Sequence, residues 1–183
     1  LYSENEIFKS DNKIILKDSE KVKTLSVAED IVNKLVEKGC KRDSLIVGIG
    51  GGVITDIAGF IASIFMRGVT HVFIPTTLLA MVDASIGGKT AINTKQSKNL
   101  IGTFKHPYAI YIDSFFLLTL DLRQLINGFA EIIKYGLICD KDFFNYVKNN
   151  FEKLINLEDI ETIDKVIEQC CRHKKTFILD DEY

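Results

Sequence analysis

Histidine is scarce in this chain: His71, His106 and His173 are all it has, and they stand far apart. No two have the spacing that sets a pair of imidazoles on one helix face, so no histidine-pair metal motif lies within these residues. The four cysteines, Cys40, Cys139, Cys170 and Cys171, form neither a CxxC nor a zinc-finger spacing. They read as reduced thiols, which points to a cytoplasmic protein rather than a disulfide scaffold. Charge of one sign is also lacking: 23 basic against 25 acidic residues leave a net charge of −2. That excludes the basic footprint of a nucleic-acid binder, so an anionic ligand has to be held by local charges. No stretch approaches the ~18 uninterrupted apolar residues of a membrane span, and no signal-peptide pattern precedes the first charges. The partner these absences leave is a small molecule, with no nucleic acid and no membrane.

What is there is apolar and patterned. Hydrophobic residues make up 46% of 183, enough for one domain or one and a fraction with a sizeable core. Both ends read as cut: the chain opens at Leu1 without an initiator Met and stops at Tyr183 just after an apolar run. The expectation is a fragment.

Apolar periodicity alternates between strand and helix over the first ~120 residues. Lys13 to Leu16 reads as a short strand, Ser26 to Lys38 as a helix stopped by Gly39, and Ser44 to Ile49 as a buried parallel strand. Val53 to Met66 reads as a buried helix, His71 to Pro75 as a strand, and Leu78 to Ser85 as a helix before a Gly87-Gly88 turn. Ala109 to Asp113 reads as another strand. Beyond it the pattern is helical: Leu122 to Ile138, with Leu122, Leu125, Ile126, Phe129, Ile132 and Ile133 as one apolar stripe, then Lys141 to Leu154 and Ile160 to Phe177. The expected fold is α/β, a parallel-sheet domain over 1–120 followed by the start of a helical domain over 121–183.

Chemistry concentrates between Leu45 and Asn99. Gly48, Gly50, Gly51 and Gly52 lie between a strand and a helix, where free amides and the helix dipole attract phosphate. The pattern is not GxGxxG, because Val53 takes the place of the last Gly. The competing account is a tight strand–helix turn needing small residues, and phosphate binding is the favoured one. Asp56 reads as a first-turn carboxylate, which either stabilises the helix or bonds a ribose. Thr76 and Thr77 follow a strand at the sheet edge, where they either bond a nucleotide or cap a helix. Arg67, Lys89 and Lys98 are candidates for a phosphate or carboxylate. Lys89, behind two glycines in a small and apolar setting, is the hardest to dismiss as surface charge. Glu131 and Lys134 share a helix face at i and i+3, as a surface ion pair or as a metal ligand beside a substrate lysine.

With those residues assembled, the chain resembles 3-dehydroquinate synthases. The matching stretches are GIGGGVITDIAGFIASIFMRG (48–68), IPTTLLAMVDASIGGKTAIN (74–93), SKNLIGTF (97–104) and GFAEIIKYGLI (128–138), in consistent order and spacing. The first domain of the large fungal multi-enzyme shikimate polypeptide belongs to the same family. The resemblance implies a lyase that converts 3-deoxy-D-arabino-heptulosonate 7-phosphate to 3-dehydroquinate and phosphate, using NAD transiently and a divalent metal, zinc or cobalt, in a cytoplasmic homodimer of the shikimate pathway. It implies NAD contacts at Gly51, Gly52, Val53 and Asp56, and at Asp18 and Lys21, where DSEK is taken as the family's E-x-x-K. Further NAD contacts are implied at Thr76, Thr77, Lys98, Phe116, Leu117, Leu118, Thr119 and Asn127. Arg67, Asp83, Lys89, Asn99, Glu131, Lys134 and Lys174 are implied on the sugar-acid phosphate, with Lys89 and Lys134 catalytic and Glu131 the one metal ligand. The family's two zinc histidines, in a GHxxGH segment, are expected beyond Tyr183. Ser97, Asp121 and Gln124 depart from the usual Gly, Pro and Glu.

Three alternatives remain beside this one. A related cyclase would act on sedoheptulose 7-phosphate. A metal-dependent polyol dehydrogenase shares the GGG-x-x-x-D turn, although the full DASIGGKTAIN and AEIIK set argues against it. A non-catalytic nucleotide-binding remnant is the third.

Overall fold

A computed structural model describes residues 12–17 and 19–180. A 3-10 turn over Glu20–Val22 leads into α1 (Leu25–Glu37), which begins where Thr24 Oγ1 accepts the Val27 amide and is followed by Gly39 at φ 72°. Then come β1 (Leu45–Gly50), α2 (Gly52–Ile64) and β2 (Thr70–Pro75). A wide π turn over Ala80–Ala84 precedes β3 (Lys89–Ile92), β4 (Ile101–Phe104) and the short β5 (Ala109–Ile110). A 3-10 turn over Ser114–Thr119 opens the helical part: α3 (Leu122–Cys139), α4 (Lys141–Asn149), α5 (Phe151–Ile155) and α6 (Ile160–Asp180).

β1 and β2 pair in parallel from Leu45↔Thr70 to Gly50↔Pro75, and β5 joins β2 through Val72↔Ala109. The sheet order is β1-β2-β5. The α/β class expected from the alternating pattern is therefore present, with α2 as the crossover between β1 and β2.

Four local expectations are corrected. Lys13 to Leu16 forms no strand; Ile14 and Leu16 instead pack against the cluster around α1 and α2. The antiparallel pair β3–β4, in register from Lys89↔Phe104 to Ile92↔Ile101, was not expected, because each strand is four residues long and a polar loop separates them. The helix over Lys141 to Leu154 is interrupted at Asn150, whose amide turns back to Tyr146 O and Val147 O; asparagine favours such caps over helix interiors. On α3 the buried face is Leu125, Gly128, Phe129, Ile132, Tyr135 and Gly136, leaving Leu122, Ile126 and Ile133 exposed. The expected stripe was thus rotated, because two glycines and a tyrosine on the packed face carry little apolar signal.

The core has two parts. One gathers Ala28 and Ile31 of α1, Ile57, Phe60 and Ile61 of α2, and Ile92 of β3. The other gathers the helices α3 to α6 around Phe129, Ile132, Ile163 and Val166, and it takes in Leu78, Met81 and Val82. The π turn, which precedes Leu120 in the chain, is therefore packed among the helices.

His71 on β2 is buried in this frame, and neither ring nitrogen finds a hydrogen-bond partner. Burial, helped by the nearby Lys105 charge, lowers its pKa to about 4. The folded value lies below the unfolded one, so the neutral ring's contribution is intact above pH ~6.5 and is lost as pH falls from there through about 4. His71→Leu is expected to raise stability by about 1–2 kcal/mol at neutral pH, since it removes two orphaned polar atoms. It is also expected to flatten this acid slope. Urea unfolding at pH 7.5 and 5 checks both; a variant that keeps the parent's slope would contradict the assignment.

Candidate active site

The glycine turn closes β1 onto α2. Gly51 is the N-cap of α2 and offers no side chain, while the Ile54 and Thr55 amides both bond Gly51 O. The Gly52 and Val53 amides thus lie outside the helix's own bonding. A Cβ on Gly51 would meet Thr77 Cγ2 at 3.0 Å, and one on Gly52 would meet Ala84 Cβ at 3.1 Å. The turn is a backbone cradle walled by Thr77 and the π turn, shaped for an anion at a helix N-terminus. Thr76 is tied in by its amide to Gly50 O (2.9 Å), and Thr77 Oγ1 accepts the Ala80 amide (3.3 Å), the capping role.

Beside the cradle lies a buried lysine that sequence reasoning missed. Lys23 is 3% exposed; its Nζ donates to Asp56 Oδ2 (2.5 Å) and Asn99 Oδ1 (2.7 Å) and lies 3.8 Å from Glu20 Oε1. Asn93 completes the lattice: its Nδ2 donates to Glu20 Oε1 (2.8 Å) and its Oδ1 accepts the Asn99 amide (2.9 Å). Glu20 and Lys23 form a literal E-x-x-K in SEKVK, two residues on from the DSEK frame. Lys21 is exposed, and Asp18 lies outside the described residues. Asp56 falls in the second turn of α2 rather than the first. Burial raises its pKa, against the pull of the Lys23 hydrogen bond and charge.

Asp83, in the π turn, joins the cradle to the helices. Its Oδ1 accepts from Lys174 Nζ of α6 (2.6 Å) and from the Tyr135 hydroxyl of α3 (3.1 Å). Tyr135 also reaches Val82 O (3.2 Å), and burial pushes its pKa up. On the same helix Lys134 Nζ lies 2.9 Å from Glu131 Oε2; that hydrogen bond, with the charges of Glu131 and Asp83, raises the lysine's pKa against burial. Tyr135 was missed because it reads as one more aromatic in an apolar helix.

Arg67, Lys89 and Lys98 are exposed, and their side chains carry no ion pair among the described residues. Asn127 is exposed on α3. In the turn over Ser114–Thr119, Leu117 is fully buried in the helical core and Phe116 packs against it, while Leu118 and Thr119 are exposed. Leu117 can therefore offer a ligand only its backbone. For a metal the donor set is short: Glu131 is present, but the described residues contain no group of three His, Cys, Asp or Glu that could hold an ion. His173 lies instead by Asp140 (3.6 Å) and Gln169 (3.2 Å).

Residues 13–127 match the family described as 3-dehydroquinate synthase N-terminal, and residues 128–183 match 3-dehydroquinate synthase C-terminal. The 3-dehydroquinate synthase of Alkaliphilus metalliredigens is 46% identical over 93% of this chain, and that of a Thermoanaerobacter species 43% over 92%. The chain spans about half of these relatives' length, 48% and 47%. Among solved structures, 2-epi-5-epi-valiolone synthase from Streptomyces hygroscopicus, with NAD+ and Zn2+ bound, superposes with a TM-score of 0.86 at 32% identity, over 91% of this chain and 47% of that one. Glycerol dehydrogenase from Schizosaccharomyces pombe, at 19% identity and a TM-score of 0.61 over 86% of this chain and 45% of its own, shares the fold. By both halves of its sequence, this chain belongs to the 3-dehydroquinate synthase family.

Proposed function

We propose that this chain is the nucleotide- and phosphate-binding part of a 3-dehydroquinate synthase, which converts 3-deoxy-D-arabino-heptulosonate 7-phosphate to 3-dehydroquinate and phosphate in the shikimate pathway. The observation that carries the reading is the π turn. Ala84 walls the glycine cradle while the adjacent Asp83 takes Lys174 and Tyr135 from the helices, so one short segment would border both a dinucleotide's phosphates and a polar anionic substrate. We place the protein in the cytoplasm as a homodimer, on the family's pattern.

The residues fit a dinucleotide. The Gly52 and Val53 amides would take its pyrophosphate, and Asp56, steadied by Lys23, would accept a ribose hydroxyl. The E-x-x-K role falls to Glu20 and Lys23. NAD, when bound, supplies a reversible hydride acceptor, so a substrate carbon is oxidised and later reduced with no net redox change. Arg67, Lys89 and Asn99 would hold the phosphate. Asp83, Lys134 and Lys174 would orient the hydroxyls and carboxylate of the sugar acid. Lys134, its proton held by Glu131, stays cationic through the neutral range. The described residues do not compose a metal site; among them Glu131 is the carboxylate that would face a metal.

A second reading, a cyclase acting on sedoheptulose 7-phosphate, draws on the likeness to 2-epi-5-epi-valiolone synthase. The higher identity to curated 3-dehydroquinate synthases favours the first. The full-length protein is expected to release phosphate from the heptulosonate phosphate when NAD is present, to stop on addition of a chelator, and to accumulate no NADH. Phosphate release from sedoheptulose 7-phosphate alone would shift the assignment to the second reading, and steady NADH production would sink both.

A further inference from the structure

Arg67 sits on a backbone turn that its own residues disfavour. Met66 (φ 47°) and Arg67 (φ 68°) are left-handed without being glycine, and Gly68 follows at φ 117°. Conformations of this kind persist where the surroundings over-determine them. Two backbone bonds close the turn, Gly68 N to Phe65 O and Val69 N to Ala62 O, each 2.8 Å. A distant side chain supplies the rest: Lys105 Nζ donates to Ala62 O (3.1 Å) and Val69 O (2.8 Å), straddling the turn. Ala62 belongs to the last turn of α2, where carbonyls left over from the helix's own bonding and the negative end of the helix dipole favour a cation. A Cβ on Gly68 would lie 2.9 Å from that Nζ, so the glycine also makes room for it. The Lys105 backbone amide meanwhile donates to Gly88 O (2.7 Å), the carbonyl directly before Lys89. One residue thus holds the turn that carries Arg67 and the strand start that carries Lys89.

We propose that Lys105 is a positioning residue: its Nζ clamps the turn that carries Arg67 and its amide fixes the backbone before Lys89, so that it holds in place the backbone behind two cations that bind the substrate's anionic group. The proposal rests on the reading of Arg67 and Lys89 as substrate cations. Lys105→Met keeps the aliphatic stem and the backbone amide, and removes only the clamp on the Arg67 side. Lys105→Arg keeps donors for both carbonyls.

The test uses the full-length protein. Lys105→Met is expected to speed amide exchange at Gly68 and Val69 tenfold or more, with Ile57 to Ile61 of α2 unchanged. KM for the heptulosonate phosphate is expected to rise about tenfold with kcat little altered, and Lys105→Arg to restore most of that. Added to Arg67→Ala, Lys105→Met is expected to raise KM no further, because both changes remove the same contact. Unchanged exchange at Gly68 and Val69 would overturn the clamp, and a further tenfold on top of Arg67→Ala would overturn the link to Arg67. If Arg67→Ala alone leaves KM at the parent value, the reading of Arg67 as a substrate cation falls and the positioning role with it. The exchange result would still show separately whether Lys105 holds the turn.

Discussion

Replacing Lys23 by Met is expected to cost about 3–5 kcal/mol of folding stability, at the scale of breaking a buried ion pair by removing one partner. For a chain of this size that is a fall of roughly 10 °C in Tm. The Lys23 side chain is 4% exposed, and its Nζ has two close acceptors, Asp56 and Asn99, with Glu20 at 3.8 Å. Methionine fills the space of the stem but leaves the Asp56 carboxylate without its cation in a site whose burial already raises its pKa. The loss therefore depends on pH with a definite sign. A carboxyl whose folded pKa is raised favours folding most fully below its unfolded pKa, and that contribution disappears as pH rises through the folded value. The deficit of Lys23→Met relative to the parent is expected to shrink as pH is lowered from 7.5 toward 4. Lys23→Met combined with Asp56→Asn is expected to recover part of the stability, since no charge is then stranded. Urea unfolding of the two single variants and the double variant reads this directly. Equal deficits at both pH values, with no recovery in the double variant, would show that the Lys23–Asp56 pair is not what stabilises this corner.

How far the sequence carried these conclusions depended on whether a residue's role shows in its neighbours along the chain. The helix α1 and the strands β1 and β2 were legible because apolar runs end at glycine or proline within one or two residues of the observed limits, and α2 because its long apolar run starts at the glycine turn. β3 and β4 were not, since four-residue strands with a central glycine or threonine carry too little alternation to separate from loop. Lys23 lies in a polar stretch, DSEKVK, and it is buried through distant partners, Asp56 of α2 and Asn99, that no local pattern announces. The left-handed turn at Met66 and Arg67 has one sequence mark, the glycine that follows. Tyr135 and Lys174 became partners of Asp83 through contacts 52 and 91 residues apart in sequence. No local pattern reports such distances. The resemblance to a family placed Asp83 and Lys174 near one site, but the chain of contacts that joins them through the π turn is a matter of geometry.

Lys89→Ala is expected to lower turnover by about a thousandfold while leaving the fold as it is. The structural half of that expectation follows from exposure. Lys89 has an exposed side chain with no ion partner among the described residues, and its backbone is held independently by the Phe104 register and by the bond from the Lys105 amide to Gly88 O. Removing the side chain strands no buried group, so stability should stay within about 0.5 kcal/mol. The kinetic half follows from position. A preorganised donor aimed at developing charge is worth a factor of about 100–1,000 when lost. Here the donor would be a full ammonium set behind Gly87 and Gly88, on a strand braced by β4 and preceded by the bond from the Lys105 amide to Gly88 O. Lys89→Arg is expected to rescue little, because a planar fork on a longer stem cannot replace a compact charge at the same point. The measurements are phosphate release by the full-length variant and its urea midpoint beside the parent's. Turnover near the parent rate in a folded Lys89→Ala protein would remove Lys89 from the active site, and the assignment of the neighbouring anion contacts to one substrate group would have to rest on Arg67 alone.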